Sequence, residues 1–307
     1  MRKLPGRADC LMPISIQEQE TALPCAGLMA KREMRVARMS QRPTFGVSLF
    51  GLFRPMPLRA PADLELQRKK LLQMIFDAPD VTFFRHSGNI GDDLIHAGTR
   101  RLLADASYRE IGTWDMQDAR GHTALITGSG GWCIPFHHQL PGALPLIEER
   151  FENVIILPST FDLAEPVVRN ALERTKALVF ARERESYEQI RHVCNADIGH
   201  DCAFFFDFRP YRQRGNGRLD AFRTDAESAR ADVPAGNNDI SVTCFGLDHW
   251  LWTIARHATV ATDRAHVMIA AALMGKRIEY RGTNYHKVPA IAEYSLSGLP
   301  VSRHEEC

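Results

Sequence analysis

The chain has 307 residues, 45% of them hydrophobic and 24% charged, which is the composition of a folded globular protein and excludes a wholly disordered one. Thirty-eight Lys and Arg against 37 Asp and Glu leave a formal charge of +1, so nothing global points to a nucleic-acid partner and any anion site has to be local. Seven cysteines without a C-x-x-C pair point to a reduced, cytoplasmic chain, and no stretch reaches the ~18 uncharged apolar residues of a spanning helix.

Residues 1–60 carry ten Lys/Arg, four Asp/Glu and six prolines with no amphipathic period. Residues 1–63 therefore read as a poorly ordered basic leader, a solvated tail in preference to a lipid-binding arm. From residue 64 the pattern becomes regular. A helix over 64–75 leads to a strand at 81–84 and a helix at 94–103, followed by strands at 124–127 and 154–157, a helix at 166–174, a strand at 177–181 and a helix at 186–193. Such alternation predicts a parallel sheet covered on both faces. Residues 209–238 read as a polar connector with one weak strand, 219–222. A strand at 240–243, a helix at 249–255, a strand at 259–262, a helix at 266–274 and a strand at 277–280 follow. The expected architecture is α/β, with Rossmann-like domains at 64–208 and 239–307 and a cleft between them beyond the carboxyl ends of the strands.

Five strand ends offer chemistry at that cleft. Gly88-Asn89-Ile90-Gly91-Asp92 enters a helix, so its amides can hold an anion or a sugar hydroxyl; taken alone it reads as a tight turn with an acidic cap in preference to a ligand loop. Gly128-Ser129-Gly130-Gly131 lets a ligand approach the backbone, or is simply a strained connection. Ser159 and Thr160 end the next strand, and Arg182 the one after, where a guanidinium fork suits a phosphate or carboxylate. In the second half, Arg264 and His266 flank one residue at a strand-to-helix joint, pairing a cation with a titratable imidazole. His137-His138 and His200-Asp201-Cys202 lack metal-ligand spacing, so no catalytic metal and no cofactor are expected.

Taken together these stretches resemble the polysaccharide pyruvyl transferase family. The matching pieces are G-N-I-G-D at 88–92, G-S-G-G at 128–131, L-P-S-T-F at 157–161, F-A-R-E-R-E-S at 180–186, H-D-C-A-F at 200–204, F-R-T-D-A-E-S at 222–228, T-D-R-A-H at 262–266 and N-Y-H-K at 284–287. The resemblance implies a glycosyltransferase-B-like pair of domains and phosphoenolpyruvate as donor. It assigns donor binding and catalysis to Arg182, Arg264 and His266. The implied acceptor is a sugar of a surface-polysaccharide precursor, a lipid-linked oligosaccharide at the inner face of the cell membrane, with peripheral membrane association. His266 is then the acid or base, and Asp92 a further candidate for orienting an acceptor hydroxyl. Competing readings are a nucleotide-sugar glycosyltransferase on the same fold and a non-catalytic sugar- or anion-binding protein.

Overall fold

The computed structural model describes residues 60–229 and 233–304; the expected leader falls almost wholly outside them. In chain order the elements are α1 (Leu64–Phe76), β1 (Val81–Arg85), α2 (Ile90–Leu102), β2 (Arg109–Gly112), β3 (Gly121–Ile126), α3 (Gln139–Arg150), β4 (Phe151–Ser159), α4 (Pro166–Arg174), β5 (Leu178–Ala181), α5 (Arg184–Ile190) and β6 (Asn195–Ile198). Then come β7 (Arg218–Ala221), α6 (Ile240–Thr243), α7 (Leu247–Ala255), β8 (Thr259–Thr262), α8 (Ala265–Leu273), β9 (Arg277–Tyr280), α9 (Lys287–Ser295) and β10 (Val301–Arg303). Two parallel sheets result, with strand orders β2-β1-β3-β4-β5-β6 and β10-β9-β8-β7.

The central strands of the first sheet each carry a short apolar run, 83–84, 124–126, 154–157 and 178–181, because both faces of the sheet are covered. Successive side chains then serve two different cores. Phe84, Ile126, Ile156 and Val179 face α3 and α4, whereas Phe83, Leu125, Ile155 and Phe180 face α1 and α2. In the second half α8 is buried around nearly its whole circumference, from Val267 to Leu273, as an all-apolar helix must be. Neighbouring residues of α2 look both ways: Leu94 enters the core of the second sheet and Ile95 that of the first. That helix joins the two halves, and its N-terminus lies where their strand ends face each other.

Residues 240–243 correct the sequence reading, which made them a strand. They form the single helical turn α6. The Ile-Ser-Val-Thr run has strand propensity, but the carbonyl of Asp239 accepts from the amides of Val242 and Thr243 while its carboxylate is held by Arg264. Ile240 is buried and Val242 is 67% exposed, so no half-buried alternation exists to support a strand. The weak strand expected at 219–222 is β7, paired in parallel with β8 as an edge of the second sheet. No helix among the described residues is long and apolar enough to cross a membrane.

Candidate active site

A cavity of about 470 Å³ opens at the carboxyl ends of strands from both sheets. Its walls begin with the first turn of α2. Asn89 caps that helix, its Oδ1 accepting from the amide of Gly91 at 2.8 Å, while the Asp92 carboxylate accepts from the amide of Asn89 at 2.9 Å. A Cβ on Gly88 would fall 2.0 Å from that carboxylate, so the cap requires glycine there. Asp92 lines the cavity, but its carboxylate is engaged in holding the loop.

Ser129, Gly130 and Gly131 form the second wall, after β3. Of the predicted donor contacts, Gly128, Ser159 and Thr160 do not line the cavity, which corrects the sequence reading. Gly128 packs so closely on the carbonyl of Pro158 that a Cβ would lie 2.4 Å from it. The hydroxyl of Ser159 accepts from the amide of Ser129 at 3.0 Å and donates to the carbonyl of Leu157, and the Thr160 amide donates to the carbonyl of Ser129. These residues tie the glycine loop to β4 from behind.

Arg182 emerges from β5 and is 1% exposed. Its Nε donates to Oγ1 of Thr160 and its Nη1 to Oδ2 of Asp201, each at 2.8 Å, and Nη2 reaches over Gly130, 3.6 Å from where a Cβ would sit. Nζ of Lys287, from the start of α9, lies equally close to that point. Two buried cations therefore converge above a residue with no side chain. Lys287 donates to Oε1 of Glu227 at 2.6 Å, and Glu227 also receives Tyr285 and Arg223. Burial alone would raise the Glu227 carboxyl, but Lys287 and Arg223 beside it hold it down to about 2. Burial lowers the Lys287 ammonium and Glu227 works against that shift.

The second sheet supplies the rest. Arg264 grips Asp239 through Nε at 2.7 Å and Nη2 at 2.6 Å, and Nη2 also reaches Asp225 at 3.0 Å. Its predicted place at the cavity wall is found, though much of its guanidinium is already committed to these carboxylates. His266, in the first turn of α8, lies with Nε2 3.3 Å from the same Oδ2 of Asp201 that receives Arg182. Burial would raise the Asp201 carboxyl, but His266 and Arg182 outweigh it and hold the group well below the usual carboxylate range.

The structure thus brings Arg182, Arg264 and His266 to one cavity, together with Gly88, Asn89, Gly91, Asp92, Ser129, Gly130 and Gly131. Sequence reasoning missed Asp201, Arg223, Asp225, Glu227, Asp239, Tyr285 and Lys287. Most of them lie inside H-D-C-A-F, F-R-T-D-A-E-S and N-Y-H-K, stretches in which nothing but the three-dimensional pairing distinguishes a site residue from a solvated charge.

The model of the family described as polysaccharide pyruvyl transferase matches residues 89–277, more than half of the chain and most of the cavity wall. A crystal structure of a functionally uncharacterised protein from Klebsiella pneumoniae is similar, with a TM-score of 0.64 and 24% sequence identity over 77% of this chain and 96% of that one. That likeness bears on the fold alone. No curated protein matches the chain.

Proposed function

The chain belongs to the polysaccharide pyruvyl transferase family, and on that premise we propose that it moves the pyruvyl group of phosphoenolpyruvate onto two hydroxyls of a sugar in a surface-polysaccharide precursor, forming a cyclic ketal. The two sheets are read as the paired Rossmann-like lobes of a glycosyltransferase-B-like enzyme. The observation that carries the proposal is the convergence of Arg182 and Lys287 over Gly130, in one cavity with His266. Phosphoenolpyruvate is a small molecule with a carboxylate and a phosphate. It needs fixed cations and donors, and the missing side chain at 130 lets it approach them.

In this reading Arg182 and Lys287 take the donor's anionic groups, with Arg264 and the backbone of the Gly130-Gly131 turn completing the cradle. Positive charge from these side chains meets the needs of the donor without a metal. His266 delivers a proton to the methylene carbon, leaving an oxocarbenium-like centre at carbon 2. One sugar hydroxyl oxygen bonds to that carbon and gives up its proton to the histidine. The carbon–oxygen bond to phosphate then breaks, and the second hydroxyl closes the ring, its proton leaving with inorganic phosphate. The products are the ketal, bearing a methyl and a carboxylate, and phosphate. In this reading the acceptor is a lipid-linked oligosaccharide at the inner membrane face.

Mass spectrometry of candidate oligosaccharides incubated with phosphoenolpyruvate tests this. The expected result is addition of pyruvate less one water, matched by released phosphate. Glycosyl transfer from a nucleotide sugar, with no reaction of phosphoenolpyruvate on any acceptor, would overturn it.

A further inference from the structure

Asp201 is 1% exposed and makes three contacts. Oδ1 accepts from the amide of Ala203 at 2.8 Å, and Oδ2 serves both Nη1 of Arg182 at 2.8 Å and Nε2 of His266 at 3.3 Å. Arg182 and Asp201 follow strands of the first sheet, and His266 opens a helix of the second, so this one oxygen joins side chains from both halves. A carboxylate held ionised can only accept. Nε2 of a neutral His266 must therefore carry the proton, and Nδ1 must be bare. Nδ1 makes no hydrogen bond among the described residues, is not sealed from solvent, and faces Gly91 at the cavity wall.

We propose that Asp201 is a positioning residue that fixes the tautomer of His266, so that Nδ1, and not Nε2, exchanges the proton with substrate. The inference rests on the proposed pyruvyl transfer for its kinetic consequence but not for its structural one. A buried acidic partner sets which imidazole nitrogen is free and holds the ring in one orientation. Asparagine cannot replace it. With its oxygen towards Arg182 and His266, its amide nitrogen confronts the donor amide of Ala203. Turned the other way, its nitrogen confronts Arg182 and makes Nε2 an acceptor.

The test uses the full chain labelled with nitrogen-15 histidine, the His266 signals being assigned by their loss in His266→Ala. At a pH where the ring is neutral, the wild type should show Nε2 protonated and Nδ1 bare, and Asp201→Asn should populate the opposite tautomer. On whichever acceptor supports pyruvyl transfer, Asp201→Asn should lower kcat by about 100-fold, the lower end of what acid–base catalysis supplies, with a smaller change in the phosphoenolpyruvate KM than Arg182→Lys produces. Asp201→Glu should regain part of the rate. A wild-type ring protonated at Nδ1, or an Asp201→Asn enzyme with undiminished kcat, overturns the inference. The spectrum needs no substrate, so it judges the tautomer even where every acceptor fails, an outcome that counts against the proposed function alone.

Discussion

A Cβ on Gly91 would lie 2.8 Å from Nδ1 of His266, so the first turn of α2 closes on the imidazole only because residue 91 has no side chain. The same Cβ would lie 2.9 Å from Oδ1 of Asn89, the helix cap. Gly91→Ala therefore has to displace the ring or the cap. Alanine is also a better helix former than glycine, by about 1 kcal/mol, which offsets part of any structural cost. Stability and activity should separate: a melting temperature near that of the wild type, and a kcat for pyruvyl transfer reduced by about 10-fold or more, a barrier change of ~1.4 kcal/mol. Calorimetry and steady-state kinetics on one preparation measure both, and unchanged kcat with an unmoved imidazole would remove Gly91 from the site.

Arg182→Lys keeps the charge and loses the fork. The native guanidinium donates to Thr160 and Asp201 from two nitrogens while a third reaches over Gly130, and one ammonium on a shorter donor set cannot span all three positions. Affinity for phosphoenolpyruvate should fall by about 10-fold, or ~1.4 kcal/mol. Titration calorimetry with phosphoenolpyruvate alone reads the change. Equal affinity in wild type and variant would mean that the donor binds elsewhere.

The sheet and most of its helices were legible because a doubly covered parallel strand is a short apolar run and its helices have apolar faces; β1, β4, β8 and α4 lie where their patterns put them. Arg109–Gly112 and Asn195–Ile198 escaped notice as edge strands of mixed polarity, half buried at most. Gln139–Arg150 was hidden by Pro141 and Pro145, which read as loop residues although the helix accommodates both. The site divides in the same way. Arg182, Arg264 and His266 could be chosen because strand ends collect ligand-binding residues. Asp201, Glu227 and Asp239 could not, because a buried carboxylate is defined by the cation it meets, and Arg182, Lys287 and Arg264, which meet them, are 19, 60 and 25 residues away in sequence, although Glu227 also meets Arg223 four residues before it. Ser159 and Thr160 show the converse: a strand end at the same rim, with hydroxyls that turn inward, that of Ser159 to the amide of Ser129 and that of Thr160 to Nε of Arg182.

Acid should weaken the cavity wall. The Glu227 carboxyl is held down to about 2 from an ordinary 4.5, because Lys287 and Arg223 outweigh the effect of burial. A carboxylate with a depressed folded-state pKa contributes stability that is fully present above the unfolded value and is lost as pH falls towards the folded one. The window is thus from about pH 4.5 down to about 2. The melting temperature of the wild type should drop more between pH 5 and pH 3 than that of Glu227→Gln, which has no proton to take up at this position. Parallel pH dependences in the two proteins would show that the network contributes nothing through this group.

Glu227 and Lys287 form a buried pair, and a buried pair is costly to break on one side only. Lys287→Met leaves a buried carboxylate facing Tyr285 and Arg223 with one cation fewer. Losing one partner of such a pair typically costs about 3–5 kcal/mol, whereas replacing both with uncharged groups is often close to neutral. The double variant Lys287→Met/Glu227→Gln should therefore be more stable than Lys287→Met alone. Activity should follow a different rule, because the proposed donor contact is the ammonium itself. The double variant should recover the denaturation midpoint while phosphoenolpyruvate binding stays lost. Recovery of both would make Lys287 a structural cation and place the donor's charge on Arg182 and Arg264. Recovery of neither would mean that Arg223, held by Glu227 and Asp225 together, is the member of the network that the fold depends on.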